Sequence, residues 1–379
     1  MFFTTLLIAI VFFAYIILII ALIIGVYKVK YFDKKTLNNK SEKSKDLKFS
    51  IVIPFRNEEG NLEQLISNLA NQDYPKKNYQ IILVDDFSTD NSFEIAKKNA
   101  ENYSSLSIKL FKNKIAGKKQ ALRLGISNSD YDFIITTDAD CSHNKKWLSE
   151  IADFQHITNC NMIVAPVQIS KSNNLFGKFQ EIEFLSLQAS TIGSIGINKP
   201  IMCNGANLIF QKKLFIKSNI KEEIASGDDM FLLHEIKRHP EYKINYLMSQ
   251  NAIVNTNATE NINAFINQRI RWASKAKYYK DNFSILTALI VFATTLSQII
   301  LLILSVFNVF YLYCFLIILI VKSIIDYALI YNVNSLFKIK NIFGLIIPFE
   351  IIYFIYTIYV GVLSIFSSSF LWKDRKYKY

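Results

Sequence analysis

From Phe2 to Val26 the chain carries no charged residue and little besides Phe, Leu, Ile, Val, Ala and Tyr. At ~1.5 Å per residue a helix of that length crosses a ~30 Å hydrocarbon core. A single segment can satisfy its backbone there only as a helix, so this run constrains the fold more than any other stretch. A cleaved leader fits worse, because no basic segment precedes the run and no small-residue cleavage pattern follows it before Tyr27-Lys28. Lys28, Lys30, Lys34 and Lys35 crowd its carboxyl side. The positive-inside bias then sets residue 28 onward in the cytoplasm, as in an integral protein of the cell's inner membrane.

The same signature returns towards the other end. Residues 285–307 and 309–331 read as two spans joined by a tight turn at Asn308, and 342–366 as a third, interrupted by Pro348 and Glu350. Lys322 and Asp326 lie four apart inside the second, a spacing that pairs them on one helix face away from lipid. Three crossings would leave the tail, with Lys373, Arg375, Lys376 and Lys378, outside, whereas its charge argues for inside. A segment around 342–350 that lies on the membrane or re-enters it restores the parity, and sequence leaves both arrangements open. The organisation expected is thus a membrane helix at 1–27, a basic polar linker at 28–48, a soluble domain at 49–283, membrane helices at 284–371 and a basic tail at 372–379.

The soluble domain alternates short apolar runs with amphipathic helices. Phe49–Pro54, Tyr79–Val84, Ile108–Phe111 and Phe133–Thr137 are rich in β-branched and aromatic residues and read as strands. Helices follow through Leu62, Leu65, Ile66 and Leu69, from Ser92 to Asn102, and from Gly117-Lys118 onward. Strand–helix alternation at this pace predicts an α/β, mostly parallel, doubly wound sheet with right-handed crossovers. Acidic residues crown two of the strands: Asp85 and Asp86 after the second, Asp138 and Asp140 after the fourth. Ligands of open α/β sheets bind at that edge, and carboxylates gathered there repel one another unless a cation sits among them. An Asp-x-Asp pair taken alone is more often a surface turn.

Several motifs occur in a set order: Pro54-Phe-Arg56-Asn-Glu58, Val84-Asp85-Asp86-x-Ser-Thr-Asp90, Gly117-Lys118 with Ala121-Leu122, Asp138-x-Asp140, Gly227-Asp228-Asp229 and Gln268-x-x-Arg271-Trp272. Together they resemble the family 2 inverting glycosyltransferases of the GT-A fold, in the membrane-embedded branch with cellulose, chitin and hyaluronan synthases and ceramide glucosyltransferases. The resemblance covers roughly residues 49–283 and implies a nucleotide-sugar donor, foremost a UDP-sugar, and a divalent cofactor, Mg²⁺ or Mn²⁺.

Residue by residue, the resemblance implies that Pro54, Arg56, Glu58, Asp85, Asp86, Lys118 and Asp138 contact the nucleotide. Asp138 and Asp140 would supply hard oxygen ligands to the metal bridging the two phosphates. Asp229, with Asp228 beside it, would be the general base on the acceptor hydroxyl. Gly205 and Asn207 would line the acceptor site, Gln268 and Arg271 the departing diphosphate, and Trp272 would stack on the acceptor sugar. Each residue also has a plainer reading. Asp85 and Asp86 can cap a helix with Ser88 and Asp90, Lys118 can be a solvated lysine, Asp228 and Asp229 can cap a helix, and the helix of Arg269, Lys275, Lys277 and Lys280 can rest on anionic lipid heads. Residues 171–200 read either as a helix at the boundary of domain and membrane or as a surface helix.

The acceptor implied is a growing polysaccharide, with single glycosylation of a ceramide- or polyprenyl-type lipid as the alternative. A nucleotidyltransferase or a non-catalytic nucleotide-binding scaffold would use the same core. The formal charge of +12 collects around the apolar segments and carries no nucleic-acid motif, so membrane lipid and not nucleic acid is the partner expected. Cys141, Cys160, Cys203 and Cys314 have neither metal spacing nor close pairs and read as reduced thiols.

Overall fold

The computed structural model describes residues 2–32, 41–221, 224, 226–366, 369–373 and 375–378. The stretch 33–40, with Lys34 and Lys35, lies outside them. Helix α1 (Phe2–Lys28) leads to a short helix α2 (Ser41–Ser44) and then to β1 (Phe49–Phe55), α3 (Leu62–Ala70), β2 (Tyr79–Asp85), α4 (Ser92–Asn102), β3 (Ser107–Lys112), α5 (Lys118–Ser127) and β4 (Phe133–Thr136). All but α2 are elements the apolar patterning predicts, the strands within a residue or two at each end.

The second half of the expected linker is not free chain. Tyr74 Oη donates to the carbonyls of Ser44 and Leu47, Asn78 Nδ2 to that of Lys45, and Ser44 hydrogen-bonds Asp153. Residues 41–48 are thereby sewn onto the domain, because buried backbone carbonyls need donors that the linker reading did not supply.

The chain continues through β5 (Ser142–His143), α6 (Trp147–Thr158), β6 (Met162–Val164), β7 (Val167–Ile169), α7 (Leu175–Gly196), β8 (Leu208–Gln211), α8 (Lys212–Lys217), α9 (Asp228–Lys237), β9 (Ile244–Tyr246), β10 (Val254–Thr256) and α10 (Ile262–Ser274). Seven strands form one sheet in the order β3-β2-β1-β4-β8-β6-β9. The pairs among β3, β2, β1 and β4 are parallel, as is β6 with β9, while β8 runs antiparallel to both its neighbours. Alternate residues of β1 and β2 face opposite ways, so Ile51, Ile53, Ile81 and Leu83 join one core with α3 and α6 residues. Val52, Ile82 and Val84 join a second core that runs without a break through α7 into the apolar helices. A small sheet, β5-β10-β7, sits beside the main one.

Four helices are long and apolar enough to cross a membrane: α1, α11 (Asn282–Leu304), α12 (Val309–Phe337) and α13 (Ile342–Phe366). Asn308 turns α11 into α12 and caps it by accepting from the amide of Phe310. Helix α7 is no surface helix. It is buried against α1 so closely that a Cβ on Gly193 would lie 2.4 Å from the carbonyl oxygen of Leu22, which only glycine avoids. Pro348 stays within α13 and does not end it. A hairpin, β11 (Ser369–Trp372) with β12 (Arg375–Lys378), follows α13 and folds back onto the soluble domain, where Arg375 reaches Asp86.

Candidate functional site

Parallel pairing aligns the carboxyl ends of β1 and β2, with Phe55 opposite Asp85, and β4 ends beside β1. The loops that leave these strands therefore open at one edge, and the acidic residues meet there. Asp86 is held from two sides: its Oδ1 accepts from the amide of Gly117 at 2.9 Å and from Asn113 Nδ2 at 2.9 Å. Gly117 has φ +137°, a conformation that L side chains avoid, which lets its amide turn to Asp86 as α5 begins. The next residue, Lys118, places Nζ 2.6 Å from Asp138 Oδ1. The solvated-lysine reading is thereby set aside. Burial works against its charge, but Asp138 and then Asp228 outweigh burial and hold Lys118 protonated, well above the ordinary lysine value.

Asp138 and Asp140 stand just beyond β4. Thr256 of β10 donates to Asp140 Oδ2 at 3.1 Å. Burial, then the charges of Asp138 and Glu58, push the Asp140 carboxyl above its usual value. Such crowding is what a hard divalent ion relieves. Among the described residues no three His, Cys, Asp or Glu side chains form a complete metal-ligand group. The donor set fits an ion that binds through one or two carboxylates and takes its remaining oxygens from substrate phosphates.

The third acidic pair arrives on α9. Its N-cap, Gly227, has φ +87°, and a Cβ there would meet Lys275 at 2.9 Å. Asp229 Oδ1 accepts from the amide of Met230 at 2.8 Å and Oδ2 from that of Gly205 at 3.2 Å, with Lys275 Nζ at 3.5 Å. Gly205 is itself tied to β4, since Thr136 Oγ1 donates to its carbonyl at 2.7 Å. The two acids differ in state. Burial raises Asp229, yet Lys275, Lys118 and the two amides overcome it and hold the carboxyl below the ordinary range. Burial raises Asp228 too, and Lys118 does not fully offset it, so Asp228 titrates above its usual value.

Other candidates fall elsewhere. Asn207 does not line the pocket: it is fully buried, its Nδ2 donates to the carbonyls of Pro166 and Ala252, and its Oδ1 accepts from Trp147 Nε1. With its hydrogen-bonding capacity spent on the core, none is left for a sugar. Gly205 contributes its amide, not close approach, because an added Cβ would lie at an ordinary 3.6 Å from Asp229. Asp85 serves its own loop by accepting from the amide of Ser88 at 3.0 Å. Arg56 is buried and donates to the carbonyls of Asp86 and Phe87, so it braces the Asp86 loop.

On α10 the face assignment also shifts. Arg269, expected among lipid-facing cations, is 5% exposed and forks onto Glu183 of α7. Its guanidinium lies 4.3 Å from the ring centre of Trp272, so that indole stacks on arginine within the protein. Gln268 accepts from Arg269. Half-buried Arg271 sits one turn before Lys275, the residue that reaches Asp229. Asn113, Thr256, Lys275 and the hairpin residues Lys373 and Arg375 escaped the sequence reading because none stands in an acidic or glycine-marked motif. Only the basic tail gave a signal, and it was read for topology.

Residues 50–216 match the sequence profile described as "Glycosyl transferase family 2". A poly-beta-1,6-N-acetyl-D-glucosamine synthase of Staphylococcus aureus is 27% identical over 230 residues, which are 59% of this chain and 53% of that one. A dolichyl N-acetyl-alpha-D-glucosaminyl phosphate 3-beta-D-2,3-diacetamido-2,3-dideoxy-beta-D-glucuronosyltransferase of Methanococcus voltae is 34% identical over 109 residues, 28% of this chain and 34% of that one. The chain thus spans between a third and about half of the length of these relatives. Among solved structures, the mannosyltransferase PcManGT of Pyrobaculum calidifontis, in complex with GDP-Man and Mn²⁺, superposes with a TM-score of 0.53 at 16% identity, over 84% of this chain and 87% of that one. That likeness is one of fold.

Proposed function

Taking as premise that residues 50–216 are a family 2 glycosyltransferase domain, we propose that the protein transfers a sugar, with inversion, from a nucleotide-sugar to an acceptor at the membrane. The observation that carries this reading is the convergence, at one sheet edge, of Asp86, Asp138, Asp140 and Asp229 around Lys118, which senses both Asp138 and Asp229. Asp86 accepts hydrogen bonds from the base and ribose, and Glu58 and Lys118 flank the diphosphate. A divalent ion on Asp138 and Asp140 supplies charge neutralisation for the leaving diphosphate. Asp229, kept ionised by Lys275, takes the acceptor hydroxyl's proton as that oxygen attacks the anomeric carbon opposite the leaving group. Asp228 stands behind it, and Gln268, Arg271 and Lys275 line the diphosphate side. The donor favoured is a UDP-sugar, and the soluble domain, residues 41–283, faces the cytoplasm.

The acceptor proposed is a growing polysaccharide, which the alignment with a polymer-forming synthase over 59% of the chain supports. A lipid acceptor is the second reading. The cavity among α1, α7, α11, α12 and α13 measures about 90 Å³, well below the ~300 Å³ at which small-molecule pockets begin, which favours an acceptor that need not enter the bundle.

The test is mass spectrometry of products from purified protein given membrane lipid and a panel of sugar nucleotides with Mn²⁺. Sugar-bearing product that disappears with EDTA and returns with Mn²⁺ or Mg²⁺ is expected, polymer separating the first acceptor from single glycolipid. Sugar release from no donor, or turnover indifferent to chelator, would contradict the proposal.

A further inference from the structure

The donor pocket is finished by the hairpin that follows α13. Arg375 Nη1 lies 3.1 Å from Asp86 Oδ2, and its Nη2 donates to the Asp86 carbonyl at 3.2 Å. Its guanidinium also stands 5.4 Å from the ring centre of Phe87, an exposed aromatic that takes φ +59°. Lys373 Nζ lies 2.8 Å from Glu58 Oε1 and donates to the Asn57 carbonyl at 3.2 Å, while its own carbonyl accepts from Arg56 Nε at 3.1 Å. The hairpin is therefore bound at two carboxylates that leave two different strands, β1 and β2.

Layering and charge say what these cations are for. The Asp86 side chain is 1% exposed, and that of Arg375 above it 20%. Glu58 is 9% exposed under Lys373 at 34%. Carboxylates form the floor and the hairpin cations the rim. A diphosphate entering such a pocket meets the carboxylates of Glu58, Asp138 and Asp140, and its oxygens need cations beside Lys118 to offset that negative charge. An arginine fork and a lysine at the rim match those oxygens. Lys373 sits at the hairpin tip with φ +46°, a conformation that Gly, Asn and Asp adopt readily and lysine does not.

Resting on the glycosyltransferase reading above, we propose that Arg375 and Lys373 are donor-binding residues: the hairpin clasps the nucleoside diphosphate from outside, its cations passing from Asp86 and Glu58 to phosphate oxygens when the donor enters. Asp86 is thereby released towards the base at the moment its counter-ion is taken up by phosphate, which couples base reading to diphosphate binding.

Calorimetric titration of the purified full chain with UDP, GDP, CDP and dTDP in the presence of Mn²⁺ tests this, alongside Arg375→Gln, Arg375→Lys and Lys373→Gln, with a melting curve for each variant. The wild type is expected to bind at least one of the four. Arg375→Gln should weaken that nucleotide about tenfold or more, the usual share of a charge-assisted contact. Arg375→Lys should restore only part of the loss, since it keeps charge without the fork, and Lys373→Gln should weaken it several-fold, all with unchanged melting. The matching nucleoside, without phosphates, should bind the Arg375 variants no more weakly than the wild type, because Asp86 is already free of its counter-ion there. Variants that bind as well as the wild type, or more tightly because a plug has been loosened, overturn the clasp while leaving the glycosyltransferase reading intact. A wild type that binds none of the four nucleotides overturns both.

Discussion

At the scale of single residues, the proposed chemistry rests on two neighbouring aspartates held in different states. Asp229 has two amides and Lys275, Asp228 has neither amide, and so the first stays ionised where the second resists ionisation. The sign follows: a carboxyl held below its ordinary value of about 3.8 is a base at every pH above that value and is lost as a base only as pH falls through it. A pH–rate profile should therefore show no acid limb from Asp229 between about pH 5 and 8, and a limb near neutrality that tracks this residue would refute the assignment. Asn207 gives the opposite case. Asn207→Ala strands Trp147 Nε1 and the carbonyls of Pro166 and Ala252, at about 1–3 kcal/mol for each group left unpaired. The variant should melt lower yet bind nucleotide as before when folded, and weakened binding in a normally stable variant would return Asn207 to the pocket. Sequence made the acidic motifs legible because several of them occur in a set order, two at strand ends. It could not tell Asn207 from a sugar ligand, because an amide's partners are carbonyls that any residue supplies.

At the scale of elements, the parallel strands were readable from their apolar runs, and each ends within a residue or two of the place the sequence predicts. The face of α10 was not. Arg269 is followed closely by Lys275 and Lys277, in the 3-10 turn after α10, and nothing in the pattern of α10 shows that it turns inward to a buried Glu183 contributed by α7, some 86 residues away in sequence. Glu183 also accepts from Tyr356 of α13 at 2.8 Å, so one carboxylate joins α7, α10 and α13. Removing one partner of a buried pair costs about 3–5 kcal/mol because the other charge is left uncompensated. Glu183→Gln should accordingly lower the melting temperature of the purified protein and loosen α10, whereas an unchanged melt would show the pair to be incidental. The contact of α1 with α7 has the same character: Gly25, Gly193 and Gly196 bring the backbones together, and their spacing means little until the two helices are side by side.

At the scale of the whole molecule, the parity problem posed by three apolar segments and a basic tail takes a structural form. Helix α13 packs Phe349 against Phe179 of α7, its Ile365 carbonyl accepts from Lys277 Nζ, and the hairpin beyond it reaches Asp86. The tail thus packs on the soluble domain. Inside the bundle Lys322 joins Asp326 at 2.7 Å and also Glu350 at 2.6 Å. The first partner was legible from helical spacing. The second was not, since Glu350 lies on another helix. The acidic site and the proposed clasp meet at one edge of one sheet, and the central claim is that sugar transfer happens there with Asp229 as base. The most direct measurement is turnover of the active sugar nucleotide by Asp229→Asn beside the wild type, with nucleotide affinity measured on both. A loss of about two or more decades in rate with affinity retained is the result this account predicts; turnover that survives the substitution would contradict it.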